Sequence, residues 1–418
     1  MENTEQSISV LVAMLGARMH WAVPEILENH GMLARLFTDF DARTVSGRVL
    51  SYVPKLGFLK AQQRLIDRSP RNIPASKVKA FNSLGIRYAV RRKMSPGLRT
   101  FLWANRKFCD DVARQTWPEL DAVFTYNGAG LEILEKARTL GKTRIIEQTI
   151  APYAIERELL EHEYSRYADW ETRHADAFCD DYIHREESEW KLANGILCGS
   201  QFVADGLKER GVACALCRVV PYGVRSALPL HGAGKKVRQP LPRLRVLTVG
   251  TLSLRKGMPY IAEVAKKTKQ IAEFRAVGPT VLSPIGMAKF SECVEVTGSI
   301  PRSQLHMHFD WADVFFLPSL CEGSATVTYE AMAHGLPIIC THNTGSLTRD
   351  GIEGRVVGIR DVEAMCDVIA QLHAEPELRH SMCQNALNRS IYGGFDAYSA
   401  RFVAATNAIH SRRNHTIG

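Results

Sequence analysis

Ten short apolar runs, each closing on a turn, leave this chain few ways to fold. The first, Ile8-Ser9-Val10-Leu11-Val12-Ala13-Met14-Leu15, ends at Gly16 and leads into Trp21 to Leu27, whose apolar residues have helical spacing. That is a strand, a glycine turn and a helix. Asp121 to Tyr126 before Asn127-Gly128-Ala129-Gly130, Arg144 to Glu147, Gly195 to Ser200 and Cys217 to Pro221 continue the series. A second series runs through Leu244 to Gly250, Phe274 to Gly278, Val294 to Gly298, Val314 to Pro318 and Pro337 to Thr341. Apolar runs alternating with amphipathic helices are the pattern of a parallel sheet covered by helices on both faces.

A chain of 418 residues exceeds one ordinary core, and the two series divide it. The fold class is therefore α/β, with two doubly wound Rossmann-like domains facing across a cleft. The N-terminal domain is expected over residues 1–230. His231 to Pro242 is aperiodic and rich in Gly, Lys, Arg and Pro, which marks a linker over 231–242. The C-terminal domain follows over 243–394, and 395–418 reads as a helix that can pack back on the first domain. Ligands in such sheets bind beyond the carboxyl ends of the strands, so the cleft is the expected site.

No apolar run reaches the ~18 residues of a membrane-spanning helix. The start, Met1-Glu2-Asn3-Thr4-Glu5-Gln6, is acidic and polar where a secretory signal is basic, which predicts a cytoplasmic chain. Ten cysteines at this length are not a disulfide framework, and they read as reduced core residues. Cys214 and Cys217 form a Cys-x-x-Cys in a strand-like stretch, without the partners that zinc or redox chemistry requires.

The net charge of +9 is concentrated. Between Ala42 and Phe108, sixteen Lys or Arg stand against one acid, Asp67. Tyr52, Leu56, Phe58, Leu59, Phe101, Leu102 and Trp103 are interleaved with them. Apolar residues among cations suit an anionic membrane surface or an anionic lipid-linked substrate. A solvated basic face is the plainer alternative. Nucleic acid is not expected as a partner, because no helix-turn-helix, zinc finger or RNA-binding signature accompanies the charge.

Chemistry is concentrated in the second series. The strand ending at Val249-Gly250 runs into Thr251-Leu252-Ser253-Leu254-Arg255-Lys256-Gly257. Two adjacent cations at the mouth of a parallel strand suit a diphosphate, which Arg grips bidentately and Lys meets as a point charge. After Val314 to Leu317 the chain reaches Glu322-Gly323-Ser324-Ala325-Thr326-Val327-Thr328-Tyr329-Glu330. The pattern predicts a helix from Ser324 to Ala333, stopped by Gly335, with its positive end in the cleft. Glu322 and Glu330 would then be about 8–10 Å apart along the axis. One carboxylate is placed for sugar hydroxyls and the other for ribose hydroxyls, with the diphosphate between them, since carboxylates beside phosphates repel.

This composite resembles the donor region of the retaining glycosyltransferase family 4, whose members have two Rossmann-like domains in the GT-B arrangement. The family shows Glu, seven residues, Glu, a small-residue helix and Gly-x-Pro, matched here by Glu322, Glu330, Ala331-Met332-Ala333, Gly335 and Pro337. It also shows a Val-Gly turn and Arg/Lys-Lys-Gly, matched by Val249-Gly250 and Arg255-Lys256-Gly257. The resemblance runs over Leu244 to Thr341, weakens over Gly195 to Val224 and is faint before that. It implies that Arg255 and Lys256 bind the donor diphosphate and stabilise the leaving nucleotide, that Glu322 orients the sugar and that Glu330 holds the ribose. Gly250, Gly323, Ser324, Ala325 and Thr326 would complete the donor site, and Gly16 would let backbone approach the donor from the first domain. No metal and no cofactor are implied, because the cation pair neutralises the leaving diphosphate, the task Mg²⁺ performs elsewhere. Attack on the same face, with the leaving phosphate taking the acceptor proton, requires no protein nucleophile.

Two departures touch the sugar pocket. Family members often carry a His after the strand that matches Asp121 to Tyr126, where this chain has Tyr126 and Asn127, which leaves His20 as an N-domain substitute on the acceptor side. After Glu322 the chain reads Gly323-Ser324-Ala325 where the family more often has Gly, an aromatic and Gly. Glu147-Gln148, Glu156 and Glu161 either line the acceptor side or form an exposed acidic helix face. The expectation is a hexosyltransferase that moves sugar from a nucleotide diphosphate donor to a glycan or lipid-linked acceptor of cell-surface polysaccharide, peripheral on the inner face of the cytoplasmic membrane. The rivals are a nucleotide-sugar epimerase or glycan phosphorylase of the same architecture, and a non-catalytic scaffold that binds sugar nucleotide or lipid.

Overall fold

The computed structural model describes residues 8–43, 69–173, 178–225 and 242–417. Two all-parallel sheets carry the chain. Seven strands, β1 (Val10–Met14), β2 (Leu33–Thr38), β3 (Val78–Ala80), β4 (Ala122–Tyr126), β5 (Thr143–Gln148), β6 (Gly195–Cys198) and β7 (Cys217–Val219), lie in the order β3-β2-β1-β4-β5-β6-β7. Six more, β8 (Leu244–Val249), β9 (Ala272–Val277), β10 (Val294–Gly298), β11 (Val314–Leu317), β12 (Ile338–Thr341) and β13 (Gly354–Val357), lie in the order β10-β9-β8-β11-β12-β13. Both orders reverse beside their first strand, at β1/β4 and β8/β11, which is where a doubly wound sheet opens a crevice.

Burial explains the runs read from the sequence. All residues of β1, β4, β6, β11 and β12 are buried, because helices cover both faces and neither needs polar residues. Three strands lie outside those runs. β2, β3 and β13 carry Arg35, Lys79 and Arg355, and β3 and β13 are sheet edges, where one side of the strand is uncovered and the apolar signal thins.

The helices relevant to the cleft are α1 (Ala22–Asn29), α2 (Asn82–Met94), α3 (Leu98–Ala113), α4 (Leu131–Thr139), α5 (Tyr153–Arg166), α6 (Cys179–Leu192), α7 (Gln201–Glu209), α8 (Met258–Lys267), α9 (Pro284–Ser291), α10 (Leu305–Trp311), α11 (Val327–Ala333), α12 (Val362–Ala374), α13 (Pro376–Tyr392) and α14 (Phe395–Ile417). α14 returns to the first sheet. Phe402 meets Phe124 edge-on at 5.4 Å between ring centroids, and His410 Nδ1 lies 2.9 Å from the Thr143 hydroxyl. Gly195 permits that return, since a Cβ there would stand 2.5 Å from Ile409.

The linker expected over 231–242 lies outside the described residues except for Pro242, and so do Tyr52, Leu56, Phe58 and Leu59 of the basic stretch. Phe101, Leu102 and Trp103 correct the membrane reading at those positions. Leu102 is buried, Phe101 packs on Tyr182 at 5.8 Å, and Trp103 lies under the Arg91 guanidinium at 3.9 Å. The expectation that the cysteines sit in the core holds for Cys109, Cys198, Cys321 and Cys340, whereas Cys214 is exposed and the others are half-buried.

A second crossing joins the domains. α5 follows β5 of the first sheet, yet its Glu163 is fully buried against the second domain, accepting from the Tyr260 hydroxyl at 2.8 Å and from Arg360 Nε at 2.6 Å. The chain then inserts Trp170 into the core of the second domain beside Leu252, Leu282 and Phe290. The Trp170 carbonyl accepts from the Ser283 N–H at 2.7 Å. Trp170→Ala should cost about 3–5 kcal/mol of stability by removing a buried aromatic ring. Urea unfolding measures it, and a loss below about 1 kcal/mol would show that the indole is not part of that core.

Candidate active site

At the end of β8 the chain turns at Gly250, and Ser253 caps a single 3-10 turn, Leu254–Lys256, its hydroxyl accepting from the Lys256 N–H. The following Gly257 has φ +76°, and its Cβ would stand 2.3 Å from the Pro318 carbonyl, so the turn is seated directly on the loop after β11. That contact brings the two motifs together. Arg255 Nη1 donates to the Cys321 carbonyl at 2.8 Å and to Glu322 Oε1 at 2.7 Å, and Lys256 Nζ reaches the same Glu322 oxygen at 2.7 Å. The three groups form one cluster, with the Glu322 carboxylate resting where a diphosphate would meet both cations.

The helix after Glu322 is shorter than expected. It begins at Val327 rather than Ser324, because the intervening loop spends its polar groups on the neighbouring strand end. The Glu322 N–H donates to the Asn343 carbonyl at 3.0 Å and the Ala325 N–H to the Thr344 carbonyl at 3.2 Å. Glu330 therefore stands in the first turn of α11, and the axial separation calculated for a continuous helix does not apply. Its Oε1 accepts from Arg302 Nη2 at 2.6 Å.

Gly250, Arg255, Lys256, Glu322, Ser324, Ala325, Thr326 and Glu330 line one cavity of about 580 Å³ at the β8/β11 switch point, together with Gly278, Ile300, Arg302 and Leu305. A larger trough of about 800 Å³ runs along the outer side of α8 and β9. It is walled by scattered charges of both signs, including Lys266, Lys269, Glu263 and Glu273, and brings no such group of side chains to one point. Chemistry belongs with the smaller cavity. Gly323 forms its contact with the first domain, since a Cβ would stand 1.8 Å from the Thr149 carbonyl, so only glycine lets the two loops touch.

The N-domain candidates separate. His20 lines an adjoining cavity of about 460 Å³ with Met19, Arg302, Thr326 and Glu330, carried there by three consecutive left-handed residues, Met19, His20 and Trp21, at φ 46°, 51° and 68°. Such backbone costs on the order of 1–3 kcal/mol per residue. Gly16 has its N–H committed to Asp39 Oδ1 at 2.8 Å. Tyr126 is buried, and Asn127 is locked inside the domain, donating to Glu186 and the Tyr182 hydroxyl and accepting from the Thr149 N–H and hydroxyl. Neither Tyr126 nor Asn127 appears among the walls of these cavities.

In the first domain the start of α4 already holds a carboxylate. Glu189 accepts from the N–H groups of Gly128, Gly130 and Leu131 at the start of α4, at 2.6, 2.8 and 3.1 Å. Helix starts of this kind hold phosphates elsewhere, and here an internal carboxylate takes those N–H groups. Burial pushes Glu189 up to about 7, against Arg185 and the two glycine N–H groups. Glu147 is raised to about 7 by the same cause, opposed by the Tyr222 hydroxyl and Arg18.

Two site residues, Arg18 and Arg302, went unread in the sequence. Arg18 stacks on Tyr126 at 5.2 Å and donates to the Thr149 hydroxyl at 3.4 Å, facing the seam from the first strand-to-helix turn. Its place after a switch-point strand was a usable signal. Arg302 follows the turn at Gly298, where proximity to Glu330 has no mark in the sequence. Glu156 corrects the exposed-face reading. Its side chain is enclosed, with its carboxylate 4.0 Å from Arg255, whereas Glu161 is exposed as an acidic helix face requires.

Residues 243–375 match the family Glycosyl transferases group 1, so a group 1 glycosyltransferase domain is present in the second half of the chain. The amylovoran biosynthesis glycosyltransferase AmsK of Erwinia amylovora is 28% identical over 145 residues, 31% of this chain and 36% of that protein. The GDP-mannose-dependent alpha-(1-6)-phosphatidylinositol monomannoside mannosyltransferase of Mycolicibacterium smegmatis is 29% identical over 186 residues, 42% of each. The chain thus spans half or less of the length of these curated relatives. Among solved structures, Anabaena Alr3699/HepE in complex with UDP superposes with a TM-score of 0.61 at 13% identity, covering 96% of this chain and 100% of that one. The lipopolysaccharide outer core galactosyltransferase WaaB gives 0.59 at 13% identity, over 96% and 99%. At such identity the likeness establishes the fold, two Rossmann-like domains in the GT-B arrangement.

Glu322 pairs with both cations and so competes with an anion for them. Glu322→Gln should therefore bind inorganic pyrophosphate about tenfold more tightly than the wild type, as measured by calorimetry. Unchanged affinity would show that the carboxylate does not guard the cations.

Proposed function

We propose that this chain is a retaining glycosyltransferase of family 4, transferring a hexose from a nucleoside diphosphate donor to a glycan or lipid-linked acceptor in cell-surface polysaccharide synthesis. The observation that carries this is the cluster of Arg255, Lys256 and Glu322 in a cavity at the switch point of the sheet that matches group 1 glycosyltransferases. Relatives named for amylovoran and colanic acid biosynthesis support the polysaccharide reading.

Arg255 and Lys256 hold the diphosphate and offset the charge that grows on it as the sugar departs, so the site works without a metal. Glu322 leaves the cations for the hydroxyls of the sugar, and Glu330 takes the ribose once Arg302 makes way. Gly250, Gly323, Ser324, Ala325 and Thr326 shape the donor pocket, and His20 faces it from the acceptor domain. The leaving phosphate accepts the acceptor proton on the same face, so no protein nucleophile is involved. Release of nucleoside diphosphate and glycosylated product from a panel of UDP, GDP and ADP sugars with lipid-linked glycans tests this. Lys256→Ala should lower turnover by about a hundredfold or more. Full activity in that variant, or an epimerised sugar as the only product, would overturn the assignment.

The acceptor reading places the protein on the inner face of the cytoplasmic membrane through the α2–α3 hairpin. Val90 and Met94 are 52% and 80% exposed at its tip, among Arg87, Arg91, Arg92, Lys93 and Arg99, an arrangement suited to anionic head groups. No helix among the described residues is long and apolar enough to cross a membrane. Each interfacial cation is worth about 1 kcal/mol, so R91E/R92E/K93E should weaken binding to phosphatidylserine vesicles by at least about a hundredfold. Sedimentation measures it, and unaltered binding excludes the hairpin as the contact.

A further inference from the structure

Helix α5 carries a carboxylate of the N-terminal sheet into the cation cluster of the C-terminal one. Glu156 lies 4.0 Å from Arg255, whose guanidinium is also 2.7 Å from Glu322, and Glu322 in turn touches Lys256. Arg255 and Lys256 are therefore paired with two carboxylates, Glu322 and Glu156. A diphosphate brings at least two further negative charges. Glu322 has somewhere to go, since the sugar presents hydroxyls, but Glu156 does not.

Its surroundings fix it in place. On α5 itself stands the phenol of Tyr164, on α6 the carboxylate of Glu186 and the phenol of Tyr182, and on the loop after β11 the thiol of Cys321 and the carboxylate of Glu322. The cation beside Glu156 is Arg255. The helix cannot swing aside, because Glu163 two turns on is fastened to Tyr260 and Arg360 and Trp170 is sunk in the second core.

We propose that Glu156 is a positioning residue that holds Arg255 at the wall of the cavity and takes up a proton from solvent when a diphosphate binds there. The inference rests on the reading of this cavity as a nucleoside diphosphate site. The proton neutralises the carboxylate that would otherwise repel the ligand, and it returns to solvent when the nucleoside diphosphate leaves. Burial already raises the Glu156 carboxyl above the ordinary range, with Arg255 drawing it down and Glu322 pushing it further up. A bound diphosphate raises it again. Below the pKa of the free enzyme the proton is already in place. Between the free and bound values binding takes it up, and affinity falls with rising pH by up to tenfold per unit, the slope of one proton.

Calorimetric titration with UDP and GDP, in two buffers of different protonation enthalpy from pH 6 to 8.5, counts the protons. The nucleotide's own terminal phosphate contributes equally to every variant and cancels in the comparison. The wild type should take up more protons than Glu156→Gln, by up to one per nucleotide within this pH range, and Glu156→Gln should show the flatter dependence of Kd on pH. Glu161→Gln, which removes the exposed carboxylate of the same helix, should follow the wild type. Equal proton counts and parallel pH profiles in the wild type and Glu156→Gln would overturn the proposal while leaving the nucleotide site intact. Failure of the wild type to bind either nucleotide would overturn the donor site and this role with it. Should Glu156→Gln not fold, a wild-type profile without proton uptake beyond that of the nucleotide is itself decisive against it.

Discussion

Everything at the cleft depends on how four charges are held across one seam. Arg255 and Lys256 sit on a 3-10 turn that Ser253 caps and Gly257 presses against Pro318, so their placement follows from packing rather than from their own pairing. Two cations so placed would repel each other and attract any anion. Glu322 and Glu156 balance them from opposite domains, one on the loop after β11 and one on α5. At an effective dielectric of about 20, opposite charges at 4 Å attract by about 4 kcal/mol before desolvation, so this pairing is strong enough to order the loops around it. It is also reversible, since an anion can replace a carboxylate.

The seam is steric as well as electrical. Gly323 touches Thr149, and a Cβ at Gly199 would stand 3.0 Å from Ser324, so the loops after β5 and β6 bear directly on the loop after β11. α5 and Trp170 fasten the same region from the side, while Val224 and Gly394 pair where the chain crosses between domains at the back. Opening the cleft about the rear crossing therefore requires α5 to move with one sheet or the other. Its buried bonds, Glu163 to Tyr260 and Arg360 and the Trp170 ring in the second core, favour the donor sheet.

Both sheets were legible because each buried strand is a continuous apolar run ending on a turn, a signal that survives without knowledge of any contact. β2, β3 and β13 were not, and β3 and β13 are short strands at sheet edges. The motif Arg255-Lys256 and the pair Glu322 and Glu330 were visible as residue types at strand ends, but their mutual geometry was not. A helix drawn from Ser324 follows from composition, and the loop that replaces it follows from hydrogen bonds to Asn343 and Thr344, about twenty residues away in sequence. Glu156 was the hardest to read. Nothing local separates it from Glu161 on the same helix, and only tertiary packing buries one and exposes the other.

The N-terminal domain shows why a missing histidine need not leave a gap. Asn127 spends its amide on Glu186, Tyr182 and Thr149, and Tyr126 is covered by Arg18, so the strand end that would present a side chain to the sugar instead builds an internal lock. That lock aims Thr149 at Gly323 and holds Arg18 beside it. Arg18 comes from the first strand-to-helix turn, two residues before His20, and the backbone that follows it is held in the left-handed region from Met19 to Trp21. Strain of that kind persists only where surrounding contacts over-determine it. Here the turn is fixed between β1, whose residues are all buried, and α1, whose Glu25 pairs with Arg225 at 2.7 Å beside the crossing. A change at the crossing therefore reaches Arg18 and His20 through one short turn, whereas Tyr126 and Asn127 stay locked inside the first domain.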